Sequence, residues 1–271
     1  MENNILKEIA RSIIRFYYRC TLEYTLHNYM VRKNYKERLL SFKDIHKGKR
    51  CFIIGNGPSL TAEDLTLLKD EYTFAANRIF YMFDKTEWRP TYYCAQDDVV
   101  VRDIADKFDI ILTNCKYAFI AACCDKFLQK DVINNEKVLL YFDIFQQCHK
   151  GRIFSERIDD YVFDGSTVTY AAIQIAAYMG FSEIFLIGVD HNYSASSFKG
   201  NSINDKDVKS SYFEGMPSGI KMTKPNTDGS TLSFVKAKEY ADAHKILIAN
   251  ATRGGKLEVF PRVKLEDVII E

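Results

Sequence analysis

Short apolar runs alternating with helix-forming segments predict an α/β fold on a mainly parallel sheet across residues 50–271, preceded by a helical extension over residues 1–49. Three observations carry that expectation. The stretch Arg50–Leu60 (RCFIIGNGPSL) reads as a buried strand that runs through a Gly55-Asn56-Gly57 turn into a helix start. Residues 165–190 show a second unit of the same kind, with Gly165-Ser166-Thr167, a small-residue helix, Gly180, a buried strand and Asp190 at its tip. A hydrophobic content of 47% over 271 residues supports a substantial core, and no segment is repeated or low in complexity.

Composition narrows the classes. Seven cysteines are scattered without C-x-x-C spacing, which fits reduced core residues of a cytoplasmic protein better than a disulfide framework or a zinc site. There is no apolar run of about 18 residues that would span a membrane, and the opening residues do not read as a signal peptide. The net charge of +1 is unevenly divided: residues 1–50 hold twelve Lys/Arg against five Asp/Glu, a balance of +7 that leaves −6 for the rest. The basic excess lies in an amphipathic helix and the remaining chain is slightly acidic, so nucleic acid is not an expected partner.

In chain order, residues 5–31 lack Pro and Gly and place Ile5, Ile9, Ile13 and Cys20 at helical spacing, with Lys7, Arg11, Arg15 and Arg19 on another side. Such a helix suits peripheral contact with an anionic membrane surface at the inner face, or packing on its own domain or on a second subunit of a homo-oligomer. Arg32–Arg50 reads as a polar connection. Cys51–Ile54 is the first strand, and its glycine turn is neither a G-x-G-x-x-G fingerprint, because Leu60 stands where the last glycine would be, nor a P-loop. Two glycines and a helix start nonetheless suit a phosphate. Thr61 is a suitable N-cap for a helix to about Leu68, with Glu63 and Asp64 in its first turn.

Tyr72–Ala76 is a strand ending at Asn77, and Thr91–Ala95 is another with Gln96-Asp97-Asp98 at its tip, where Asp97 or Asp98 either caps the helix to about Phe108 or ligates Mg2+ or Mn2+. Ile110–Thr113 and Val138–Phe142 read as strands flanking an apolar helix over Ala118–Leu128. Val168–Met179 is a helix stopped by Gly180, and Glu183–Gly188 a buried strand that delivers Asp190, His191, Asn192 and Tyr193. Residues 194–230 are polar enough to form a lid, with Tyr212 and Phe213 either packing on a sugar or base or anchoring the loop. Thr231–His244 is a helix and Lys245–Ala249 the last strand, after which Arg253, beside Gly254-Gly255, suits a phosphate or carboxylate.

Three blocks, IIGNGPSL, FAANR and GSTVTYAAIQIAAYMGFSEIFLIGVD, together resemble the bacterial family 42 sialyltransferases and the related MptE-like proteins, which include flagellin glycosyltransferases and archaeal pterin diphosphokinases. The resemblance spans roughly residues 50–262 and implies a modified Rossmann-like (GT-A-type variant) nucleotide-binding domain with a lid. It implies that Gly55, Asn56 and Asn77 hold nucleotide phosphate and nearby sugar groups, that Thr167 lies by the nucleotide, that Asp190 ends the strand beneath it, and that no metal is required. Two positions depart from the sialyltransferases. Asn192 and Phe198 stand where leaving-group tyrosines are found, with Tyr193 one step away, and Lys209–Glu214 lacks the lid histidine.

An inverting glycosyltransferase building bacterial cell-surface polysaccharide or lipopolysaccharide is therefore expected, taking a nucleotide-sugar donor, a CMP-nonulosonic acid or UDP-sugar, and a carbohydrate or lipid-linked acceptor. Its expected catalytic groups are His191 as base, Asp190 orienting the ring, and Asp97 as the rival; His149 is a weaker candidate. Expected binding residues are Gly55, Asn56, Gly57, Asn77, Gln96, Ser166, Thr167, Asn192, Tyr193 and Arg253. The alternatives are diphosphate transfer from ATP with Mg2+ to a pterin alcohol, and a nucleotide-binding relative without catalysis.

Overall fold

The computed structural model describes residues 31, 33–144, 153–193, 198–199, 202–203 and 205–269. His149 and all but the last residue of the basic helix expected over residues 5–31 lie outside them. Seven strands form one parallel sheet: β1 (Arg50–Ile54), β2 (Thr73–Ala76), β3 (Tyr92–Ala95), β4 (Tyr117–Ala121), β5 (Val138–Tyr141), β8 (Glu183–Ile187) and β11 (Leu247–Asn250), in the order β11-β8-β1-β2-β3-β4-β5. Two short pairs, β6 (Asp143–Ile144) with β7 (Val162–Phe163) and β9 (Phe198–Lys199) with β10 (Ser202–Ile203), stand apart from it. The strands are nearly continuous apolar runs because both faces are covered. The chain walks outward from β1 to β5, then returns to lay β8 on the other side of β1. The β1/β8 boundary is thus the switch point at which open α/β sheets leave a crevice.

Besides the helical residues 33–40, the described residues form helices α1 (Ala62–Leu67), α2 (Asp98–Asp103), α3 (Phe108–Thr113), α4 (Lys130–Ile133), α5 (Val168–Tyr178), α6 (Asp205–Ser211), α7 (Thr227–His244) and α8 (Leu265–Ile269). As expected, Thr61 caps α1, accepting from Asp64 N while Asp64 bonds back to Thr61 N. The apolar α5 fits against β1, β2 and β3, with Ala171, Ala172 and Ala176 buried. Its side chain Gln174 is fully buried and joins Ser155 and Phe163 to the helix by three hydrogen bonds, with a fourth to Tyr170 O within the helix.

Four expectations fail. Ile110–Thr113 is not a strand but part of α3: Phe108, Ile111 and Leu112 are buried while Ile110 is exposed, an i, i+3, i+4 pattern that the β-branched pair concealed. Ala118–Leu128 is not a helix but β4 followed by a 3-10 turn, Ala122–Phe127. Its small residues favour helix in isolation, yet pairing with β3 and β5 on both edges wins. Arg32–Arg50 is not a bare connection: residues 33–40 are helical, and Val31, Leu39 and Phe42 join the core, so packing continues across the expected boundary at residue 50. Asp44 N, His46 N and Gly48 N then donate to Tyr178, Met179 and Gly180 carbonyls at the end of α5. The helix expected from Thr231, α7, also starts a turn early, at Thr227, because Asn226 accepts from Gly229 N and caps it.

Candidate functional site

At the switch point the two glycines serve packing. Gly55 N donates to Ile187 O (2.8 Å) and Gly57 N to Gly188 O (2.9 Å), and a Cβ at either position would collide with Gly188 O, or with the Asp190 carboxylate at Gly57. Asp190 Oδ2 accepts from Ser59 Oγ at 2.7 Å and Ser59 N at 3.4 Å. In the turn expected to cradle a phosphate, the Gly55 and Gly57 N–H groups thus already have partners. They donate to the end of β8 and the residue after it, and the Asp190 carboxylate lies beside Gly57 and Ser59. Burial pushes the Asp190 carboxyl above its ordinary range, opposed by the two Ser59 bonds.

Asp190 does not orient His191. His191 has φ +53° and its Nε2 meets Thr231 Oγ1 at 2.7 Å. The Thr231 hydroxyl has a single proton, donated to Thr227 O at 3.0 Å, which assigns the imidazole proton to Nε2 and leaves Nδ1 as the basic nitrogen. Burial lowers the His191 pKa, with Asp228 pulling the other way, so the ring is held neutral. Asn192 is exposed, and burial pushes the Tyr193 phenol up to about 12.

The next three strand ends carry amides. Asn56 Nδ2 donates to Ala76 O (3.0 Å), bridging β1 to β2, and Gln96 Nε2 donates to Asp164 O (2.8 Å). Those bonds assign the oxygen of each amide. Asn56 Oδ1, Asn77 Oδ1 and Gln96 Oε1 are all buried without a hydrogen-bond partner among the described residues. Desolvated acceptors of this kind cost about 1–3 kcal/mol each, and three on adjacent strand ends form a row prepared for a donor-bearing ligand. Asn77, Ser166 and His191 have φ of +53°, +61° and +53°, so strained left-handed backbone also gathers on this rim.

The rim continues through Asp164. Gly165 (φ +56°) approaches the Tyr170 ring so closely that no Cβ fits, Ser166 O accepts from Ser230 Oγ (3.2 Å), and Thr167 caps α5 by accepting from Thr169 N. Ser230 and Thr231 are neighbours on α7, so one helix turn holds both Ser166 and His191. The structure thus brings together Asn56, Asn77, Gln96, Ser166, Thr167 and His191, and adds Ser59, Asp164, Ser230 and Thr231. Sequence reading missed these because a Ser or Thr in a loop or first turn, or a backbone carbonyl such as that of Asp164, carries no signal until its partner is placed.

Two expected site residues do other work. Asp97 is the N-cap of α2: Oδ1 accepts from Val99 N and Val100 N, and the carboxylate also accepts from Thr223 N and its hydroxyl. All four of those hydrogens fall on the carboxylate expected as the rival to His191 as base. Arg253 forks onto the buried Asp64 carboxylate, with one bond at 2.7 Å, and reaches Glu266 at 3.2 Å. Its charge ties the end of β11 to α1 and α8.

The family model described as 6-hydroxymethylpterin diphosphokinase MptE-like matches residues 24–196, more than half of the chain. The chain belongs to the MptE-like family. Among solved structures, the MptE-like chain is similar to the MAf glycosyltransferase from Magnetospirillum magneticum AMB-1, with a TM-score of 0.53 and 15% identity over 87% of this chain. That similarity shows the fold, and this chain spans only 39% of the glycosyltransferase's length. The reductase domain of the aureusimine biosynthetic cluster gives a TM-score of 0.26 at 14% identity, covering 82% of this chain and 54% of its own, and carries no argument. No curated protein matches. No helix among the described residues is long and apolar enough to cross a membrane.

Proposed function

We propose that this MptE-like protein is an inverting glycosyltransferase that draws a sugar from a nucleotide donor, a CMP-nonulosonic acid or a UDP-sugar, to extend cell-surface polysaccharide or lipopolysaccharide. The observation that carries the reading is the row of Asn56 Oδ1, Asn77 Oδ1 and Gln96 Oε1, buried and without partners among the described residues. Carbonyl oxygens repel a phosphate and accept from hydroxyl and amino groups, so the row suits the ribose, the sugar or an exocyclic base amine. His191 Nδ1, neutral and basic, is the group suited to take the proton of an acceptor hydroxyl. The positive pole of α5, opened by Gly165-Ser166-Thr167, is the part of the rim suited to charge on the leaving phosphate. In this reading no metal is required, and residues 5–31 hold the protein at the inner membrane face near a lipid-linked acceptor.

The family description supports a second reading, transfer of diphosphate from ATP with Mg2+ to a pterin alcohol, since a pterin also presents amino and ring N–H donors. Thermal shift with CMP, UDP, GDP and ATP, each with and without Mg2+, separates the two. Stabilisation by CMP or UDP without metal supports glycosyl transfer, and a response confined to ATP with Mg2+ moves the assignment to the diphosphokinase. No response to any of them refutes both.

A further inference from the structure

Each of the three amide-bearing strand ends also holds the segment Tyr212–Thr223, and does so from the same residue or the next. The Asn56 carbonyl accepts from Phe213 N at 3.1 Å. Asn77 is followed by Arg78, whose guanidinium is 2% exposed, donates to Lys221 O and pairs with Asp103 at 2.7 Å; Asp103 Oδ2 in turn accepts from Lys221 N at 3.2 Å. Gln96 is followed by Asp97, which accepts from Thr223 N at 3.1 Å and from its hydroxyl at 3.0 Å. Tyr212 and Phe213 are buried, and Lys85 Nζ donates to Glu214 O. A polar segment of this kind pays a large ordering entropy. Here that cost is met by apolar burial at one end and by ionised acceptors of backbone N–H at the other, which are stronger than neutral ones.

We propose that Tyr212–Thr223 is a strap whose docking is coupled to occupancy of the amide row, with Arg78 and Asp97 as the positioning residues that carry the coupling. The inference rests on the reading of that row as a ligand-binding face. A ligand that fixes Asn56, Asn77 and Gln96 fixes the residues that hold the strap, and by linkage the docked strap raises ligand affinity by the same factor. Neither Arg78 nor Asp97 needs to touch the ligand for this to operate.

Asp97→Asn is the discriminating variant. An Asn caps a helix as well as an Asp does and keeps one acceptor oxygen, but it loses the second oxygen that meets Thr223 N. Thr223→Val is its partner variant, removing the hydroxyl from the other side of the contact. Residue-resolved hydrogen exchange is measured on the full chain alone and with CMP, UDP or ATP plus Mg2+, together with nucleotide affinity and melting temperature. Both variants are expected to speed exchange together at Phe213, Lys221 and Thr223 and to weaken nucleotide binding three- to tenfold, with the melting temperature nearly unchanged. In the wild type, bound nucleotide is expected to slow exchange at the same three amides. Faster exchange confined to Thr223 overturns the strap as a unit whether or not any nucleotide binds. Faster exchange at all three with unaltered affinity overturns the coupling. If no nucleotide binds, the functional reading fails, the coupling to it falls with it, and concerted release in the free protein alone decides whether the strap exists.

Discussion

Replacing Asn77 by glycine is expected to leave the protein as stable as before, or more so, while damaging its ligand response. Asn77 Oδ1 is a buried acceptor with no partner among the described residues, and its backbone sits at φ +53°. Removing a desolvated, unpaired acceptor relieves about 1–3 kcal/mol, and glycine also relieves about 1 kcal/mol of left-handed strain. Against this stand about 0.5–1 kcal/mol of extra chain entropy in the unfolded state and the packing lost with the side chain. The balance is a gain of about 1 kcal/mol, read as a rise of about 2–4 °C in melting temperature. Loss of one neutral hydrogen bond to a ligand costs about 0.5–1.5 kcal/mol, which weakens binding about 3- to 10-fold. Urea melts and nucleotide titrations of both proteins measure the two quantities. A destabilisation of more than about 1 kcal/mol would refute the reasoning, because it would mean that the amide is satisfied in the folded state and is not held in reserve.

Arg253→Ala removes the partner of a carboxylate that is 1% exposed, but Asp64 keeps its bond from Thr61 N and the arginine is itself half exposed, so a loss of about 1–2 kcal/mol is expected in urea, below the usual cost of breaking a buried pair. The nucleotide-induced thermal shift should survive in that variant; its disappearance without destabilisation would return Arg253 to the phosphate. His191 has a folded pKa below its unfolded value near 6.5, so the unfolded chain takes up the proton first and stability falls as pH drops below about 6.5. His191→Asn, which tolerates positive φ, should flatten that fall below about pH 6.5, leaving the part due to His46, whose pKa burial and Lys116 also lower. An identical acid slope in wild type and variant counts against a buried, neutral His191.

Much of the architecture was legible because it depends on local pattern. The runs FII, TFAA, YYCA, VLLY and EIFLI became strands of the main sheet, since a strand covered on both faces must be apolar throughout. Thr61 announced an N-cap, and Gly180 a helix end. The misread stretches were those where two patterns overlap. YAFIA has helix-favouring alanines yet lies between two strands, and DIIL has strand-favouring isoleucines yet buries one helical face.

For the site, the sequence alone determined which chemical groups arrive at the carboxyl ends of the strands: Asn56, Asn77, Gln96, Asp190 and His191 all lie one to four residues beyond an apolar run, and a parallel sheet sends every such end to one edge. Only the tertiary structure decided what those groups are free to do. Hydrogen-bonding capacity is consumed by partners distant in the chain: Ser59 takes Asp190, Thr231 takes His191 Nε2, Thr223 takes Asp97 and Asp64 takes Arg253. The glycine turn that looked like a phosphate cradle closes on the end of β8, and the oxygens of the three amides beside it stay unspent among the described residues. Residue types can be read one at a time, but satisfaction belongs to pairs, and pairs exist only once the chain is folded.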